Sequence, residues 1–131
     1  MVSSRRSWED SDIATKHYLG SCQCGAVSYE VEADLDQTVT CNCSRCQRLG
    51  IVLAFAPRGA FSLTSGEGNL TEYRFNTKKL QHLFCKTCGI ESFAYGDSPK
   101  DGSPMVAINV NCLESVNPRA LTSHHYDGAA A

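Results

Sequence analysis

Three thiols fall within six positions at Cys41-Asn42-Cys43-Ser44-Arg45-Cys46. Such a density of one reactive side chain asks for a metal. Zinc prefers four soft or nitrogen ligands in a tetrahedron, so three cysteines leave the fourth corner to something outside this segment. Two further pairs, Cys22-x-Cys24 and Cys85-x-x-Cys88, have the short spacing at which two sulfurs converge on one ion. One division of the cysteines is attractive on physical grounds. Cys22, Cys24, Cys85 and Cys88 would make a closed four-thiolate site of structural type, and Cys41, Cys43 and Cys46 a second site with one open position, the pattern of catalytic zinc. Cys112, water and a substrate sulfur stand as alternatives for that open position.

The chain that must position these residues has 131 of them, enough for one domain with a real core. Its 42% hydrophobic and 20% charged content is that of a soluble globular protein. No apolar stretch approaches the roughly 18 residues of a membrane span. Twelve basic against fourteen acidic side chains give a formal charge of -2. Thiolate ligation would lower it further, so there is no electrostatic reason to bind nucleic acid or an anionic membrane. Residues 1–16 carry no apolar run suited to a secretory signal, and the expected location is the cytosol. There disulfides are rare, so the eight cysteines read as metal ligands rather than a disulfide framework.

Residues 1–17, rich in Ser, Arg and acids, read as a poorly ordered tail, and the domain as residues 18–128. Val27, Tyr29 and Val31 alternate with polar neighbours, the period of a half-buried strand. A short extended run at 37–40 delivers the chain to Cys41. Ser44 is placed to cap one helical turn, and Gly50 to stop it. The apolar run 51–56 suits a strand buried on both faces. Strands are expected again at 60–64, 70–75, 80–84, 90–95 and 105–110, while residues 116–131 show no periodicity. The class is mainly β.

Gly20-Ser21-Cys22-x-Cys24-Gly25-Ala26-Val27, Cys41-Asn42-Cys43-Ser44-x-Cys46, Gly66-x-x-x-Leu70-x-x-Tyr73-x-Phe75 and Phe84-Cys85-x-x-Cys88-Gly89 resemble the glutathione-dependent formaldehyde-activating enzyme family, which includes centromere protein V. The resemblance spans about residues 18–128. It implies small antiparallel sheets of an Mss4-like fold with zinc knuckles. It also implies two Zn(II) ions, one structural on Cys22, Cys24, Cys85 and Cys88, the other on a catalytic set of Cys41, Cys43 and Cys46. Cys112 looks like a non-ligand position of that family. The implied activity is a carbon–sulfur lyase reaction joining a small thiol, glutathione or similar, to formaldehyde or a related aldehyde.

Around these cysteines, Arg45 and Arg48 are candidates to offset thiolate charge or grip a substrate carboxylate. Lys78 and Lys79 are candidates for the same carboxylates, against the plainer reading of a solvated hairpin tip. Phe55, Tyr73, Phe75, Phe93 and Tyr95 either line a pocket or belong to the core. His82 reads first as a satisfied structural histidine, and His124 and His125 as surface residues. The alternative to an enzyme is a non-catalytic zinc-stabilised protein-binding module. A basic extension would favour that alternative, and the sequence has none.

Overall fold

The computed structural model describes residues 15–74, 80–98 and 100–130. The first five strands among them are β1 (Thr15–Ser21), β2 (Ser28–Asp34), β3 (Thr38–Cys41), β4 (Leu53–Pro57) and β5 (Phe61–Ser65). A short helix, α1 (Ser44–Leu49), lies between β3 and β4. The others are β6 (Leu70–Tyr73), β7 (Gln81–Cys85), β8 (Glu91–Asp97), β9 (Pro104–Asn109) and β10 (Ser123–Tyr126). The class is mainly β, as the alternation in the sequence requires.

Tyr29, Val31 and Ala33 bury the same face of β2 because side chains in a strand alternate sides. β2 is the centre of a three-stranded antiparallel sheet, flanked by β1 and β5. The remaining strands form a seven-stranded sheet in the order β10-β3-β4-β9-β8-β7-β6, antiparallel except where β10 runs parallel to β3. The core takes Tyr29 and Val31 from the small sheet and Ala54, Ala56, Phe93, Val106 and Ile108 from the large one. Phe93 meets Tyr29 edge-on at 5.7 Å between ring centroids and Phe61 at 4.8 Å. Full burial of each such side chain contributes about 1.5–3 kcal/mol.

Three expectations are corrected. Residues 15–17, assigned above to the tail, pair with Asp34, Ala33 and Glu32 as the start of β1. This edge strand is held by backbone hydrogen bonds and exposes most of its side chains, so it carries no apolar period. β4 is buried on one face only. Ala54 and Ala56 point inward while Phe55 is 44% exposed. Finally, β10 occupies a stretch without periodicity. It is fastened to β3 by polar groups, with Thr38 Oγ1 2.8 Å from Ser123 Oγ and Thr40 Oγ1 3.0 Å from His125 Nδ1. Trp8, Phe75, Lys78 and Lys79 lie outside the described residues. No helix among the described residues is long and apolar enough to cross a membrane.

Candidate functional site

Cys22 and Cys24 sit in the β1–β2 turn, Cys85 is the last residue of β7, and Cys88 lies in the β7–β8 turn. Each turn reverses at a glycine in the left-handed region, Gly25 with φ 84° and Gly89 with φ 80°, where a side chain would be strained. The four sulfurs lie within 4.8 Å of one another. Cys22 Sγ and Cys85 Sγ are each 3.7 Å from Cys24 Sγ. A zinc–sulfur bond of about 2.3 Å sets tetrahedral edges of about 3.8 Å, so this spacing fits four thiolates around one ion. It is far from the roughly 2.05 Å of a disulfide, and all eight cysteines are free.

Amide groups already point at these sulfurs. Val27 N–H donates to Cys22 Sγ at 3.3 Å, and Thr87 N–H and Asn69 Nδ2 donate to Cys85 Sγ at the same distance. Backbone N–H groups, that of Ile90 foremost, lower the Cys88 thiol to about 6. Cys24 goes the other way. An N–H from Ala26 favours its thiolate, but burial and the three neighbouring sulfurs prevail and push it up to about 11. Four sulfurs this close resist ionising together unless a cation joins them.

The second group forms where β3 runs into α1. Cys41 is the last residue of β3, and Cys43 and Cys46 follow within one turn, bringing the three sulfurs within 4.8 Å of one another. Ser44 was the expected helix cap, but Cys43 takes that role. Its backbone is extended and its Sγ accepts from Cys46 N–H at 3.3 Å, whereas Ser44 is already the first helical residue. Burial alone would raise the Cys43 thiol. The Cys46 N–H, the Cys46 thiol and the Arg45 N–H outweigh it and lower the pKa. Cys46 is pushed well up, first by burial and then by Cys43. Of these two thiols, Cys43 is the more readily ionised. Among the described residues no fourth Cys, His, Asp or Glu joins the triplet. Cys112 belongs to neither group. Burial raises its thiol, and the sulfurs that raise it further are Cys22 and Cys88 of the other site.

Behind the triplet lies a buried ionic network that sequence reasoning missed. Glu91, 5% exposed, accepts from Arg45 Nε at 3.0 Å and Nη2 at 2.6 Å on one carboxylate oxygen. Its other oxygen is 2.9 Å from His82 Nδ1, which carries the proton of that contact because a carboxylate only accepts. The Arg45 guanidinium also covers the Tyr73 ring, 4.7 Å from its centroid. Arg45 is thus tethered to β8, and the knuckle with it. Glu91→Ala is expected to lower stability by about 3 kcal/mol, because it takes the carboxylate away from buried His82 and half-buried Arg45. Calorimetry should show a melting temperature lower by about 10 °C. Glu91→Gln, which keeps one acceptor oxygen, should fall between.

The other candidates separate cleanly. Phe93 is core, Tyr95 lies beneath the Arg58 guanidinium, and Tyr73 and Phe55 are exposed. His82 is the structural histidine expected, and His124 and His125 are on the surface. Arg48 is exposed and donates to Ser44 O at 2.9 Å. With Ser44, Arg45, Leu49 and Tyr73 it lines an open cleft of about 390 Å³ along α1. The sequence held no signal for Glu91, since neither spacing nor periodicity links it to Arg45.

This arrangement has counterparts. Residues 17–127 match the model of the glutathione-dependent formaldehyde-activating enzyme family. A crystal structure of a Rhodobacter sphaeroides protein, solved as a structural genomics target, superposes with a TM-score of 0.72 at 37% sequence identity. The match covers 82% of this chain and 97% of that one. With the cysteine knuckles, the sheets and the family match in agreement, the chain belongs to the glutathione-dependent formaldehyde-activating enzyme family.

Proposed function

We propose that this protein is a zinc-dependent enzyme of the carbon–sulfur lyase type, working in a reducing compartment such as the cytosol, that joins a small thiol to formaldehyde or a closely related aldehyde. The observation that carries the reading is the contrast between the two cysteine groups. One offers four sulfurs and is complete, and the other offers three with no fourth protein ligand among the described residues. Cys22, Cys24, Cys85 and Cys88 would hold a structural zinc, and Cys41, Cys43 and Cys46 a second one. When bound with an exchangeable position, zinc lowers the pKa of a thiol and orients it.

In the reaction the thiol sulfur attacks the aldehyde carbon. A sulfur–carbon bond forms as the carbon–oxygen double bond becomes single, and the proton given up by the thiol ends on oxygen as an S-hydroxymethyl adduct. The chain's own residues set the stage for it. Glu91 and Tyr73 hold the Arg45 side chain, which fixes the knuckle against β8, while the Arg45 backbone N–H favours the Cys43 thiolate. Arg48 lines the adjoining cleft, where it suits the carboxylate of a peptide-like thiol such as glutathione. Leu49 and Tyr73 give that cleft an apolar side.

Exchange NMR with labelled formaldehyde and glutathione tests the reaction. Adduct formation and breakdown should be faster with the protein present, and Arg48→Ala should weaken the effect at low thiol concentration. An exchange rate identical with and without protein would reject the activity.

A further inference from the structure

The chain after β10 turns back over the three-cysteine group, and a side chain from inside the knuckle holds it there. Asn42, between the first two cysteines, uses its whole carboxamide. Its Nδ2 donates to Asp127 Oδ1 at 2.9 Å, and its Oδ1 accepts from Ala129 N–H at 2.9 Å. Its backbone N–H donates to Tyr126 O at 3.3 Å, continuing the parallel ladder in which Tyr126 stands opposite Cys41. Between the two side-chain anchors lies Gly128. A Cβ at that position would lie 2.5 Å from Cys41 Sγ and 3.3 Å from Cys43 Cβ, so the main chain reaches this sulfur because residue 128 is glycine. Among the described residues neither anchor is repeated at the four-cysteine site, whose sulfurs are steadied by the amides of their own turns and by Asn69.

We propose that Asn42 and Asp127 form a latch that seats Gly128 against Cys41, making residues 127–129 one wall of the three-thiol site. Both are positioning residues. They limit the directions in which the Cys41 sulfur can move and cover one of its sides. The inference rests on reading the triplet as a working thiol and metal site, and adds to that site a segment more than eighty positions away in sequence.

Asn42→Asp tests the latch with almost no change of shape, because it turns the donor facing Asp127 into a second carboxylate. The double variant Asn42→Asp with Asp127→Asn restores the pairing with donor and acceptor exchanged and the net charge of the native protein. The readouts are the rate at which iodoacetamide labels Cys41 in the protein as purified, mapped by mass spectrometry, and the rate of zinc release to a chromogenic chelator. Asn42→Asp should label Cys41 about tenfold faster, the effect of losing one or two net hydrogen bonds on a local opening. It should also release one zinc equivalent faster while the other is unchanged. The double variant should return both rates to native values, and Gly128→Ala should resemble the single variant. Unchanged Cys41 labelling in Asn42→Asp, or a double variant that behaves like the single one, would overturn the latch. Native protein carrying only one zinc would instead count against the proposed function, while the labelling comparison would still decide the latch.

Discussion

Cys88→Ser is expected to leave the domain unfolded under conditions where the native protein is folded. The four-cysteine site ties the β1–β2 turn to the β7–β8 turn, more than sixty positions along the chain. Free energy of metal binding at such a site is folding free energy, about 10–16 kcal/mol for structural zinc. A domain of this size has a net stability of about 5–15 kcal/mol, so weakening this one site by removing a thiolate consumes most of the margin. Serine is isosteric but does not supply a thiolate. Zinc content and far-ultraviolet circular dichroism should show loss of metal and of strand signal together. A strong chelator acting on the native protein should reproduce the result. A Cys88→Ser protein that keeps a native melting transition would show that the strands alone carry the fold.

Cys43→Ser is expected to do the reverse, abolishing activity and one zinc equivalent while the domain stays folded. The asymmetry follows from local geometry. Cys43 caps α1 through its sulfur, and serine is among the best residues for that position, so the substitution preserves the cap while removing the thiolate. No sheet depends on the triplet, because β3 is already fixed by β4 on one side and β10 on the other. The melting temperature should stay within about 5 °C of native, a stability change of about 1 kcal/mol. Metal analysis should find one ion fewer per chain, and formaldehyde exchange should fall to the protein-free rate. Equal destabilisation by Cys43→Ser and Cys88→Ser would indicate two structural sites, and the protein would then be a binding module.

The two variants separate because the cysteines differ in what surrounds them, and only part of that was legible in the chain. Spacing within each knuckle was readable because ligands two or three residues apart converge through local backbone geometry alone. The alternation at Val27, Tyr29 and Val31 was readable because a half-buried strand must present every second residue to the core. β1 and β10 were not, since edge strands paired through backbone and hydroxyl groups have no reason to alternate apolar residues. Phe55 misled the reading of β4, where an apolar residue on the outer face imitated a strand buried on both sides.

By itself the sequence determined which cysteines stand close enough along the chain to share a metal ion, and that strands would carry them; the structure brings them together as four and three. Tertiary structure decided what stands around the triplet. Glu91 meets Arg45 and His82 because β7 and β8 pair beside α1, and Asn42 meets Asp127 because β10 lies parallel to β3. These contacts join residues 9 to 85 positions apart, through side chains that match no spacing rule. Convergence of that kind is a property of strand order, and strand order is set by how the whole core packs.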